Sequence, residues 1–104
     1  MDIEIILQEI KAGLLELYGR KLVDLFLYGS WARDEATKDS DIDLLVILEG
    51  DIVPGREIDR MIDVVTELSL KYDTLISVYP ISREDFTNLN SPLLLNIRQE
   101  GILA

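Results

Sequence analysis

The sequence predicts an α/β domain in which helices cover a small β-sheet. Segments with the 3.6-residue periodicity of amphipathic helices alternate along the chain with short runs of aliphatic, β-branched and aromatic residues, which are typical of strands. The predicted order is helix, strand, helix, strand, helix, strand, helix, and this alternation is typical of helices packed against a sheet. The spacing alone leaves open which neighbouring strands run antiparallel.

The first half of the chain is predicted to contain a long helix and two strands. Residues 2–18 place their aliphatic side chains at helical spacings, with charged residues largely opposite, and Gly19 ends this helix. A strand follows over 22–28, and a Gly-Ser turn leads into a short helix near 31–36. A loop then connects to the second strand, which is expected over 41–48.

The second half is predicted to contain three helices and one strand. The helix over 56–71 carries a single apolar stripe, with acidic residues in its first turn and a lysine in its last, as the helix dipole favours. The third strand is expected over 74–79, and a short helix over 82–88 begins with a serine cap. The last helix begins with a serine cap followed by Pro92 and ends at Gly101.

The composition excludes several classes of protein. The chain has 104 residues, which predicts one domain, and 48% of them are hydrophobic, so a packed core is expected. It contains no cysteine and no histidine, which excludes disulfides, thiolate zinc sites and imidazole catalysis. A net charge of −10 argues against direct nucleic-acid binding. Neither a membrane-spanning run nor a signal peptide is predicted, so we expect a cytoplasmic protein.

Two polar pairs beside the predicted strands carry the strongest functional signal. Gly29-Ser30 follows the first strand, and Asp41 and Asp43 open the second, on one face of it because strand side chains alternate. Two carboxylates so close repel unless a cation such as Mg²⁺ neutralises them. The small Gly-Ser turn leaves backbone amides open to a phosphate. Each pair alone is typical of a turn or a solvated strand end, but together they indicate a nucleotide site.

These motifs resemble a known family. Residues 29–33 (GSWAR) followed by residues 40–44 (SDIDL) are similar to the motif of the DNA polymerase beta-like nucleotidyltransferase superfamily. The resemblance implies the polymerase beta palm-like fold, with a small mixed sheet flanked by helices. The short chain resembles the minimal nucleotidyltransferases, which are often the antitoxin of a pair whose toxin is a helical HEPN protein. Asp34 stands where many relatives have glycine.

The resemblance also implies roles for individual residues. Asp41 and Asp43 would be catalytic and would bind two metal ions, Mg²⁺ or alternatively Mn²⁺, while Gly29 and Ser30 would bind the nucleotide phosphates. Arg33 would pair either with a phosphate or with a nearby carboxylate. The indole of the tryptophan after Ser30 would either stack on a base or pack against the protein.

The third carboxylate of the family is not evident. Relatives carry it centrally on the third strand, where Ser77 stands in this chain. A serine hydroxyl is not a general base near neutral pH. Asp73 has the same side-chain parity but lies four residues before Ser77, about 13 Å away along a strand, so it would substitute only if the strand were bent or the register differed. Glu84 and Asp85 are expected on the surface of a helical turn.

We therefore expect a minimal nucleotidyltransferase that transfers a nucleoside monophosphate from a nucleoside triphosphate, ATP in the first instance, to a hydroxyl acceptor such as a tyrosine of a partner toxin. The alternative is an impaired nucleotidyltransferase fold that acts as an antitoxin by binding a HEPN-type partner. A purely structural acidic domain is the third hypothesis.

The C-terminal segment suggests either a HEPN-type contact or a homodimer. It crowds apolar residues into a short helix and its tail, more than one helical stripe needs. The alternative is that they fill the core. These residues are Leu93, Leu94, Leu95, Ile97, Ile102 and Leu103.

Overall fold

The computed structural model describes residues 2–104 and contains one four-stranded sheet with helices on both faces. The strands lie in the order β3-β2-β1-β4. The elements are α1 (Ile3–Tyr18), β1 (Leu22–Tyr28), β2 (Ile42–Leu48), α2 (Pro54–Lys71), β3 (Ile76–Ser82), α3 (Arg83–Asn88), α4 (Pro92–Glu100) and β4 (Ile102–Leu103).

The sheet is mixed, as the family resemblance implied. Strand β1 runs antiparallel to both β2 and β4, whereas β2 and β3 run parallel. The α/β class and the mixed sheet flanked by helices are therefore confirmed. Strand β4 was not predicted, because a two-residue strand is too short to show alternation in the sequence. It pairs with Phe26 and Leu27 of β1.

Strand β2 lies at the centre of the molecule because both of its faces are covered. Its even-numbered residues, such as Leu44, pack in a core with α1 and α2. Its odd-numbered residues Leu45 and Ile47 pack in a second core with α4. Burial on both faces explains why the sequence of β2 is an almost continuous apolar run instead of an alternating one.

Three helix starts carry a side-chain cap, and the two serine caps among them were predicted. Asp2 accepts hydrogen bonds from the first turn of α1, at 3.0 Å from the Glu4 amide. Ser82 caps α3 and Ser91 caps α4, each accepting from the amide three residues later. Helix α2 begins at Pro54, two residues before the predicted start, because proline suits the first helical position.

Two further predicted elements differ from the structure. The expected helix at 31–36 is a 3₁₀ turn over Gly29–Trp31, followed by further turn residues. Strand β3 starts and ends later than predicted, at Ile76 and Ser82. Its start is delayed because Asp73, with φ of +48°, ends α2 in the left-handed conformation. It continues through Pro80 because β3 is an edge strand, where a missing N–H is tolerated.

The C-terminal leucines divide between the core and the surface. Leu94 and Ile97 are buried against the sheet, whereas Leu93, Leu95 and the two residues of β4 are exposed. The sequence had left both alternatives open, and each holds for part of the segment. Among residues 2–104 no helix is both long enough and apolar enough to span a membrane.

Truncation of one buried and one exposed leucine should distinguish the residues that stabilise the core from those on the surface. Leu94 is 1% exposed and Leu103 is 59% exposed. We expect Leu94→Ala to lower the free energy of unfolding by about 2–5 kcal/mol, because it leaves a cavity under α4. The matched variant Leu103→Ala should change it by less than about 0.5 kcal/mol. Urea titration followed by circular dichroism measures both, and equal losses would contradict this packing.

Candidate functional site

Three polar side chains form a row across the sheet. Tyr28 is the Cα partner of Asp43 on the antiparallel side, and Ser77 is its partner on the parallel side. Paired residues on neighbouring strands point to the same face, which is the face that α4 partly covers. Tyr28 packs at the edge of the second core, whereas Ser77 is exposed, so the row is open to ligands at its Ser77 end.

The turn after β1 contacts the carboxylate of Asp43. Gly29 has φ of +74°, in the region that favours glycine. A Cβ atom at Gly29 would lie 2.5 Å from Oδ2 of Asp43. A larger residue would both strain the backbone and displace the carboxylate. This contact brings the predicted phosphate turn next to Asp43, one of the two predicted metal ligands.

The two carboxylates are electrostatically unfavourable as they stand. Asp43 lies in β2 and is partly buried, while Asp41 precedes the strand and is exposed. Burial raises the pKa of the Asp43 carboxyl above its usual range, and the negative charge of Asp41 raises it further. The positive charge of Arg33 opposes this rise. A bound cation would relieve the repulsion that remains.

Arg33 pairs with a carboxylate, which is one of the two alternatives left open by the sequence. Its Nε lies 3.2 Å from Oε2 of Glu35, and the two side chains are 43% and 64% exposed. Such an exposed pair contributes about 1 kcal/mol or less. The guanidinium can therefore turn to a phosphate at little cost.

Backbone hydrogen bonds hold the turn, and none of them within the turn uses its first amide groups. The carbonyl of Gly29 accepts from the amides of Ala32 and Arg33, and the carbonyl of Ser30 accepts from that of Glu35. The first amides of a helical turn have no partner within that turn. Those of Gly29 and Ser30 are in this position. The phosphate-binding role predicted for a longer helix at this point would therefore fall to a single 3₁₀ turn.

Trp31 packs against the core on the α1 side, which is the second of its two predicted alternatives. Its indole Nε1 is buried without a hydrogen-bond partner among the described residues. Asp34 has φ of +57°, the conformation that favours glycine. Asp34 therefore adopts the backbone conformation that the glycine of many relatives would adopt, at the cost of some strain.

The described residues supply no third carboxylate. Ser77 stands opposite Asp43, at the position where the family resemblance implied the third carboxylate. Asp73 lies in the turn that ends α2, outside β3, so a bent strand does not bring it to the row. Glu84 and Asp85 lie in the exposed first turn of α3. In residues 2–104 no three acidic side chains are grouped so that they could hold a metal ion together.

Sequence reasoning missed the two tyrosines beside the carboxylates. Burial raises the pKa of the Tyr28 hydroxyl, and the charges of Asp43 and Tyr79 raise it further. Tyr79 lies two residues after Ser77 on the same face of β3. The alternation of side chains along the predicted strands could have placed Tyr28 next to the site, because it directly precedes Gly29.

Comparison with known proteins agrees with this geometry. The family profile described as the nucleotidyltransferase domain matches residues 7–101. The chain belongs to the nucleotidyltransferase domain family. Two relatives come from Methanocaldococcus jannaschii, and both carry the provisional name of protein adenylyltransferase. One is 33% identical and covers 97% of this chain and 96% of its own length. The other is 34% identical and covers 74% and 77%.

Solved structures of nucleotidyltransferase-fold chains show the same architecture. One, from a toxin–antitoxin structure with AMP-PNP, has a TM-score of 0.63 at 18% identity and covers 90% of this chain and 68% of that one. Another, from a structure of a tri-AMPylated Shewanella oneidensis HEPN toxin with its MNT antitoxin, has a TM-score of 0.54 at 16% identity, with coverage of 92% and 69%. At these identities the likeness establishes the fold.

Substitution of Gly29 tests the contact on which the site depends. We expect Gly29→Ala to destabilise the fold by about 1–3 kcal/mol and to displace the Asp43 carboxylate. Gly50→Ala is the matched control, because Gly50 also has positive φ, +85°, but has open space around its Cβ position. Thermal unfolding should show a loss in both variants, whereas Mg²⁺-dependent binding of a nucleotide should be lost in Gly29→Ala alone. Equal binding by both variants would contradict the role of the contact.

Proposed function

We propose that this protein binds Mg²⁺ and ATP at the Gly29–Ser30 turn and the Asp41–Asp43 pair, and transfers the nucleoside monophosphate to a hydroxyl acceptor. The contact between Gly29 and Asp43 carries this proposal, because it joins a phosphate-binding turn to a pair of oxygen ligands. Membership of the nucleotidyltransferase domain family supports the class of reaction. The names of the archaeal relatives support adenylyl transfer to a protein.

The donor set fits a hard divalent cation. Carboxylate oxygens are the ligands that Mg²⁺ prefers, and Mn²⁺ accepts the same set. Burial raises the pKa of the Asp43 carboxyl, the charge of Asp41 raises it further, and Arg33 offsets only part of this rise. Asp41 and Asp43 would hold the ion or ions. When bound, these cations neutralise charge on the phosphates and align the attacking and leaving oxygens.

The remaining steps fall to the residues of the turn. The amides of Gly29 and Ser30, with the Ser30 hydroxyl, would bind the outer phosphates, and Arg33 would leave Glu35 to neutralise them. The acceptor oxygen attacks the α-phosphorus, the bond from the α-phosphorus to the bridging oxygen breaks, and pyrophosphate leaves. The acceptor proton passes to solvent or to pyrophosphate, because the serine at position 77 is a poor base.

A second candidate function follows from Ser77. The position beside Asp43 on β3 carries a hydroxyl instead of a carboxylate, so one metal ligand and one candidate base are missing from the row. Binding of ATP needs fewer ligands than transfer does. The protein could therefore act as a nucleotide-binding module that neutralises a partner by forming a complex, with slow transfer or none.

We propose a HEPN-type helical protein as the partner, with a tyrosine of that partner as acceptor. The structural similarity to a chain from an AMPylated HEPN toxin–antitoxin complex supports this choice. Exposed apolar side chains at Leu93, Leu95, Ile102 and Leu103 offer a contact surface. A homodimer through the same surface is the alternative. Light scattering of the purified chain, and co-purification with the product of the neighbouring gene, distinguish the two.

Neutralising both carboxylates tests the metal and nucleotide site. We expect Asp41→Asn combined with Asp43→Asn to abolish Mg²⁺-dependent binding of a non-hydrolysable ATP analogue in calorimetry. Because the pKa of Asp43 is raised in the fold, the protonated carboxyl is favoured there over the ionised one. The contribution of Asp43 to folding stability is therefore present at low pH and is lost as the pH rises through the raised pKa. The double variant should therefore melt at a higher temperature than wild type at pH 7.

The difference in melting temperature between the double variant and wild type should shrink at acid pH, where Asp43 is protonated in both the folded and the unfolded state. Asp39→Asn is the control, because this exposed aspartate carries the same charge outside the site. If the double variant and wild type bind the nucleotide equally in Mg²⁺, the site is wrong.

Restoring a carboxylate at position 77 tests why transfer would be slow. We expect Ser77→Asp to increase release of pyrophosphate from labelled ATP in the presence of the partner, because it adds a metal ligand beside Asp43. Ser77→Asn is the matched control of similar shape without the charge, and it should leave the rate unchanged. Fast transfer by the wild type that survives Asp73→Asn would contradict the proposed defect, and so would an unchanged rate in Ser77→Asp.

A further inference from the structure

A narrow cleft opens between α4 and the turn after β1. Its volume is about 180 Å³. Leu93, Asn96, Ile97 and Glu100 line it from α4, at the i, i+3, i+4 and i+7 positions that form one helical face. Tyr28, Gly29 and Arg33 line the opposite side. The cleft is therefore continuous with the turn that contacts Asp43.

The lining combines apolar faces with a polar rim. Ile97 is buried in the second core, and Tyr28 packs against the same core. Asn96 and Glu100 are exposed, so the Asn96 amide and the Glu100 carboxylate are available to a ligand. Such a cleft suits a flat ring whose faces are apolar and whose edge carries both donors and acceptors. At about 180 Å³ it is smaller than the roughly 300 Å³ of sites that enclose a whole ligand.

We propose that this cleft binds the nucleobase of the nucleotide and that Asn96 determines a preference for adenine. This inference rests on the proposed function, since the phosphates would lie on the adjoining turn at Gly29 and Arg33. An asparagine amide pairs with the N6 amino group and N7 of adenine. Guanine presents two acceptors at the same edge, which leaves the amide oxygen of Asn96 opposite another acceptor.

Glu100 supports the same orientation of the ligand. It places a negative charge at the α4 side of the cleft, while Arg33 places a positive charge at the turn side. Triphosphate is attracted to Arg33 and repelled by Glu100, whereas the amino group of adenine is a donor that a carboxylate accepts. The charges thus favour phosphates at the turn and the base against α4.

Binding of three probes in Mg²⁺ tests the proposal: non-hydrolysable analogues of ATP and of GTP, and inorganic tripolyphosphate. We expect Asn96→Ala to lower the affinity for the ATP analogue roughly tenfold, toward the affinity for the GTP analogue. The affinity for tripolyphosphate should not change. Leu93→Trp, which fills the cleft from an exposed position, should lower the affinity for both nucleotide analogues but not the affinity for tripolyphosphate. Gln99→Ala, on α4 outside the cleft lining, is the control and should match wild type for all three.

Each other outcome overturns the assignment in a distinguishable way. If Asn96→Ala and Leu93→Trp bind the ATP analogue as wild type does, the base lies elsewhere, although the phosphate and metal site stands. If Asn96→Ala leaves nucleotide affinity unchanged but lowers transfer to the partner, the cleft takes the acceptor instead of the base. If wild type binds no nucleotide in Mg²⁺, the proposed function fails together with this inference.

Discussion

The approach of the Gly29 backbone to the Asp43 carboxylate is the constraint on which the rest of the site depends. It requires a residue without a side chain and with positive φ at the end of β1, and it requires Asp43 to stand opposite Tyr28 in the antiparallel register. A shift of one residue in this register would turn Asp43 toward the α1 side. The two cores fix the register, because β2 is apolar on both faces around a single partly buried carboxylate.

The same arrangement concentrates features at the site that destabilise the folded state. Burial and the charge of Asp41 both disfavour the ionised form of Asp43, and Arg33 compensates for only part of this. Asp34 adds a residue in the left-handed conformation close by. Functional sites commonly concentrate such unfavourable features, which the surrounding structure must offset. Here the buried strand and the helices on either face of it provide that support.

Local signals in the sequence predicted what local chemistry determines. The apolar run of β2 located the strand that Asp43 opens, and capping residues gave the starts of α3 and α4. The position of Ser77 came from the family resemblance, and the parallel register places it opposite Asp43. The partner Glu35 of Arg33 was not predictable, because exposed charges choose among several neighbours of similar energy. Strand β4 and the cleft beside α4 depend on pairing between distant segments, and a single sequence carries no record of that pairing.

A crystal structure with Mn²⁺ and a non-hydrolysable ATP analogue tests the central claim most directly, because Mn²⁺ is located by its anomalous scattering. We predict Mn²⁺ held by the carboxylates of Asp41 and Asp43 and in contact with phosphate oxygens, with the outer phosphates against the Gly29–Ser30 turn. Mn²⁺ bound at other carboxylates, or phosphates bound away from that turn, would contradict the account, because the turn and the two carboxylates would then not form one site.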